Sequence, residues 1–139
     1  MTPIHRAAIT NSIALGRLLV GTRGQIRKLV NARGPDGRTP LHGAAEHNRS
    51  ACVRLLLQSG ANLNARDQEK CTPLHGAVRA RAGRCIDLLI RAGARTDIKD
   101  ADGYTVRDLA AQRDRKLLAR IDKLILGGEP GARRNVRVV

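Results

Sequence analysis

Thiols, imidazoles, guanidinium groups and carboxylates are the side chains here that could do chemistry. The three cysteines, Cys52, Cys71 and Cys85, are an odd number without Cys-x-x-Cys spacing. Cys71 precedes His75 by four residues, so a thiol and an imidazole are candidates for a nucleophile and its base. His5, His42 and His75 could ligate a metal only if they converged. The largest chemical signal is charge. Twenty-six basic residues face 12 acidic ones, a net charge of +14, and arginine outnumbers lysine 21 to 5. Such an excess attracts polyanions across a Debye length of about 8–10 Å at physiological salt. No Gly-x-x-x-x-Gly-Lys-Ser/Thr phosphate loop and no Gly-x-Ser-x-Gly elbow occurs.

The elements that hold these groups follow from a recurring tetrapeptide. Thr39-Pro40-Leu41-His42 returns as Thr72-Pro73-Leu74-His75, 33 residues later, with a variant, Thr2-Pro3-Ile4-His5, at the start. A further 33 residues on, the chain reads Thr105-Val106-Arg107-Asp108. A fixed period of this length marks a repeat array. Each threonine suits an N-cap, where its hydroxyl accepts from an unpaired amide of the first turn. Each proline suits the first helical position, where a missing N–H costs nothing. Gly60 and Gly93 suit the residue just past a second helix.

These residues, with Leu55–Ala65 echoed by Leu88–Asp97, resemble the ankyrin repeat over residues 2–126. The resemblance implies an all-α solenoid of about four helix-turn-helix repeats (2–38, 39–71, 72–104 and 105–126) linked by β-hairpin turns. A basic tail, 127–139, follows. The first repeat is four residues longer, the excess lying at Gly21–Lys28 and expected as an extra turn or a bulged loop. Asn11, Asn48 and Arg81 are expected in the left-handed turn between the two helices of a repeat. By the same resemblance the tetrapeptide histidine bonds within its turn and to the next repeat. Asn31 and Asn64 match the hairpin asparagine that hydroxylases modify in some members, beside a structural reading as turn asparagines. Stacked layers lie about 10 Å apart, too far for bonds of about 2 Å to join one histidine per repeat, so no metal or cofactor is expected.

With no Phe, no Trp and one Tyr, the core must be thin layers of Leu, Ile, Val and Ala, adequate for a stack in which each repeat covers the next. No run of 18 apolar residues occurs, so no membrane span is expected. Cys52 and Cys85 occupy equivalent second-helix positions and read as small core residues; Cys71 is expected at an exposed hairpin tip. Free thiols and the lack of an evident signal peptide point to a reducing intracellular compartment (cytoplasm, nucleus or organelle interior) rather than to secretion. The chain starts inside a repeat without a polar cap. Either its first helices meet a partner or residues upstream are absent.

Charge is distributed unevenly. Residues 31–38, 61–71 and 96–104, the hairpin tips, carry +1, 0 and −2, whereas the second helices with their following loops carry +8 and residues 105–139 carry +5. Two functions follow. The first is a non-catalytic protein–protein interaction module or adaptor, with no small-molecule substrate. By resemblance its concave face comprises Arg33, Asp36, Arg38, Glu46, His47, Arg66, Gln68, Glu69, Arg79, Lys99, Asp102, Tyr104 and Arg113. Its partner would be a protein with an acidic surface. The alternative is a small basic subunit of a large assembly, such as an organellar ribosome. It would dock on RNA through Arg17, Arg23, Arg27, Lys28, Arg49, Arg54, Arg84, Arg91, Arg133 and Arg134. No aromatic residues accompany these arginines, so stacking on single-stranded bases is not expected.

Overall fold

The computed structural model describes residues 3–10, 12–20 and 24–126, without the side chains of Ser12 and Ile13. Thr2, Asn11, Arg23 and the 127–139 tail with Arg133 and Arg134 lie outside the described residues. The helices are α1 (Pro3–Thr10), α2 (Ser12–Val20), α3 (Ile26–Val30), α4 (Pro40–Glu46), α5 (Ser50–Gln58), α6 (Pro73–Arg79), α7 (Gly83–Arg91), α8 (Val106–Arg113) and α9 (Arg115–Ile125). The first helices α1, α4, α6 and α8 stack in one row, and α2, α5, α7 and α9 in a second.

Repeats 2, 3 and 4 start as their chemistry dictates. Thr39 and Thr72 are extended N-caps with proline directly after them. Their backbone N–H groups donate to the Nδ1 atoms of His42 and His75, at 3.0 and 3.1 Å. Thr105 does the same with Asp108, at 3.0 Å. Asn48 and Arg81 both take φ +56° between the two helices of a repeat, as expected, and Gly60 and Gly93 follow α5 and α7 at +95° and +100°. The lengthened stretch of repeat 1 leads into the short helix α3, whose first three residues fall within Gly21–Lys28.

Leu15, Leu41, Val53, Leu56, Leu74, Ile86, Leu89 and Ile121 are fully buried, with Ala44, Ala45 and Ala77 between them. Burying one such leucine or isoleucine stabilises by about 1.5–3 kcal/mol.

The expected β-hairpins take a different form: no strand is present among the described residues. Two backbone bonds close each turn: an outer one from Gly34 to Arg38 (2.8 Å), Asp67 to Cys71 (3.0 Å) or Asp100 to Tyr104 (2.9 Å), and an inner one from Gly37 to Gly34, Lys70 to Asp67 or Gly103 to Asp100. The next bonds run between repeats instead, from Gln68 to Asp36 and from Ala101 to Glu69. The turn is too short for a ladder, and its neighbours take the remaining backbone groups.

Cys71 also departs from expectation. It is 3% exposed. Its N–H donates to Asp67 Oδ1 at 3.0 Å, and its carbonyl accepts from His42 Nε2 at 2.9 Å. Both backbone groups are drawn inward, and the short side chain goes with them.

Candidate functional site

The tetrapeptide histidines join one repeat to the next. His5 Nε2 donates to the carbonyl of Arg38 (2.9 Å), His42 Nε2 to that of Cys71 (2.9 Å) and His75 Nε2 to that of Tyr104 (3.0 Å). Each acceptor immediately precedes the threonine of the following repeat. A carbonyl can only accept, so Nε2 carries the proton and Nδ1 of His42 and His75 receives the threonine N–H. Burial holds both imidazoles below the ordinary pKa of 6.5, against the opposing pull of the carbonyls. These histidines are structural clasps. His75 has both nitrogens engaged, and burial pushes the Cys71 thiol up, so the pair does not have the form of an activated nucleophile and its base.

The two inner cysteines are packed alike. Cys52 Sγ faces the carbonyl of Ala7 at 4.0 Å and Cys85 Sγ that of Ala44 at 3.9 Å. Burial pushes the Cys85 thiol up to about 11. No group of three or more His, Cys, Asp or Glu side chains is placed to hold a metal among the described residues.

The turn edge divides into side chains that are spent and side chains that are presented. Arg33 reaches the carbonyl of Arg66 (2.8 Å), Arg66 that of Lys99 (2.8 Å), and Gln68 Nε2 that of Pro35 (3.2 Å). These three span 33 residues each and lock adjacent turns together. Arg38 pairs with Glu46 and lies 3.7 Å from Asp67, and Arg79 meets Asp100 at 3.3 Å. His47 Nδ1 donates to the Gly43 carbonyl at the end of α4, at 3.0 Å. Asp36, Glu69, Lys99, Asp102 and Arg113 remain exposed, with Tyr104 beside them at 39% exposure. None of the five charged groups enters an ion pair among the described residues. Beside this edge an apolar cleft runs between repeats 1 and 2, lined by Ile9, Gly34, Pro35, Pro40 and Gly43 with His5 and Arg38. Sequence reasoning missed it; the visible signal was glycine at positions 34 and 43.

The asparagines are structural. Asn31 donates to the carbonyls of Arg27 (2.8 Å) and Gly60 (3.0 Å) and accepts from the N–H of Asn62 (2.6 Å). Asn64 accepts from the N–H of Arg95 at 2.9 Å. Each amide thus holds the start of the next repeat's turn.

The basic positions of the second-helix row that are described have different surroundings. Arg49 is spent on the carbonyl of Ile9, at 2.9 Å. Arg27 lies across Gly60, where an added Cβ would stand 3.0 Å from its Nε. Arg17 and Lys28 are exposed. Arg54, Arg84 and Arg91 come together. They line a groove between α5 and α7 with Ser50, Asp87 and Leu88. Asp87 is clasped by Arg120 of α9, whose Nε and Nη2 meet its two oxygens at 2.8 and 2.6 Å. The sequence signal for that clasp was the 33-residue interval from Asp87 to Arg120.

No helix among the described residues is long and apolar enough to cross a membrane. A family model described as ankyrin repeats (3 copies) matches residues 1–67, and one described as ankyrin repeats (many copies) matches residues 56–110.

Proposed function

The chain belongs to the ankyrin repeat family, whose repeats generally serve as protein–protein interaction modules, and on that premise we propose that it is a non-catalytic adaptor. The carrying observation is the division at the turn edge. Arg33, Arg66, Gln68 and the histidine clasps fix the scaffold, while Asp36, Glu69, Lys99, Asp102, Tyr104 and Arg113 stand out from it. Side chains held out on locked turns cost little ordering entropy when a partner binds. Tyr104 is the anchor type enriched at interface centres. The net charge of +14 favours a partner with an acidic surface by raising its rate of encounter.

Affinity capture on the native chain and on an Asp102→Ala/Tyr104→Ala/Arg113→Ala variant tests this. A partner protein should be retained at a stable ratio by the first and lost by the second, with melting unchanged. Equal retention by both would refute the reading, as would a bound fraction that ribonuclease removes.

A further inference from the structure

We propose that the groove between α5 and α7 is a second docking surface, for an acidic protein segment whose carboxylates flank an apolar side chain. It belongs to the second-helix row and not to the turn edge, so it stands apart from the adaptor surface described above. Ser50 and Arg54 are four residues apart on α5; Arg84, Asp87, Leu88 and Arg91 fall at intervals of three, one and three on α7. Those spacings put each set on one helical face, and the two faces line the groove together. Arg54 and Arg84 are exposed and enter no ion pair among the described residues.

The rest of the lining favours carboxylates over a nucleic acid backbone. All three cations are arginines, whose planar forks bind carboxylates and phosphates alike in a bidentate manner. The groove already contains one such pair, Asp87 with Arg120. Half-buried Leu88 offers an apolar floor. Asp87 interrupts the cations and would repel a continuous run of phosphates, and no aromatic residue lines the groove to stack on a base. Arg84 and Arg91 are seven residues apart, about 10 Å along the helix axis. On an extended segment, two carboxylates four residues apart share a face with the residue midway between them and span about 13 Å, within the reach of these long side chains.

The probe is a capped 12-residue peptide of three Glu-Leu-Glu-Glu units, titrated at two salt concentrations against the full chain. Binding should weaken with salt. The Arg54→Ala/Arg84→Ala double variant should bind at least tenfold more weakly with unchanged melting. Asp87→Asn should bind two- to fivefold more tightly, because it removes the one carboxylate that lines the groove among the described residues and releases Arg120. Amide shifts on the wild-type chain should concentrate at Ser50 and Leu88, which locates the site even if a variant folds poorly. Equal peptide affinity in the double variant would overturn the proposal, as would amide shifts centred on Asp102 and Tyr104. A 12-nucleotide RNA that binds more tightly than the peptide at the same salt, and is lost with the same arginines, would overturn it in favour of nucleic acid.

Discussion

Acidification should loosen this stack in a window set by His42 and His75. Both rings are buried, both donate through Nε2 to a carbonyl of the next repeat and both accept a threonine N–H at Nδ1. A proton on Nδ1 would turn that acceptor into a donor facing another donor. Burial accordingly holds both pKa values below the ordinary 6.5. As pH falls through 6.5 the unfolded chain takes up these protons and the folded chain does not. The unfolded state then binds more protons, so stability falls with falling pH, until the folded rings titrate as well. The slope is up to about 1.4 kcal/mol per pH unit for each ring, so about 4 kcal/mol for the two between pH 6.5 and 5 if neither protonates while folded. That is a large share of a total of about 5–15 kcal/mol. Urea unfolding at half-unit steps from pH 7.5 to 5.0 measures it. His75→Gln should cost about 2–4 kcal/mol at pH 7.5, by leaving buried backbone groups unpaired, and should halve the slope. Flat stability over this range, or a slope unchanged in both His75→Gln and His42→Gln, would refute the clasp reasoning. The aspartates held low, Asp97, Asp108 and Asp122, titrate below this window.

Asn31→Ala removes two bonds between repeats 1 and 2 and one within repeat 1, and should lower urea stability by about 1–3 kcal/mol. Gly43 and Gly76 occupy the same helix position, yet a Cβ would stand 2.8 Å from Ile9 Cγ2 at the first and no closer than 3.8 Å to a neighbour at the second. Gly76→Ala should therefore raise stability by about 0.5–1 kcal/mol, and Gly43→Ala should show no such gain. Lys70 takes φ +61° where the other turns have Gly37 and Gly103, so Lys70→Gly should raise the melting point, equivalent to about 0.5 kcal/mol. At pH 8 a disulfide-exchanging thiol reagent should label none of Cys52, Cys71 and Cys85 quickly in the native chain, and all three after denaturation.

Helix starts were legible in the sequence because they rest on local chemistry. A threonine cap, a proline and an N3 partner act within four residues, and Thr39, Thr72 and Thr105 all behave as their neighbours dictate. The helix stops at Gly60 and Gly93 were legible for the same reason. Cys71 was misplaced because its burial is set by Asp67 and His42, four and 29 residues away. The turn-edge residues are expected as one concave face, but whether an exposed side chain is presented or spent depends on whether a carbonyl of the next turn lies within reach. Arg33 and Arg66 find one, so they became locks. The inserted residues of repeat 1 were harder to place, yet the clasp shows what they leave intact. His42 and His75 reach 29 residues ahead and His5 reaches 33, so the four extra residues lie outside the contact that sets the stacking.

The same interval accounts for where charge is left over. Position for position, Arg54, Asp87 and Arg120 are one column, each 33 residues from the next. An aspartate between two arginines of neighbouring layers can give its two oxygens to only one fork. Asp87 gives both to Arg120, on the C-terminal side, where Gly83 leaves room for the guanidinium: a Cβ there would stand 3.1 Å from Arg120 Nη1. Arg54 is then the unmatched member of the column. Arg84 and Arg91 lie one turn to either side of Asp87 and have no arginine in the equivalent positions of repeat 2, Ala51 and Gln58. Charge is thus neutralised where neighbouring layers carry opposite signs, as at Asp87 and Arg120, and three arginines gather at this groove while Arg49 is spent on a backbone carbonyl.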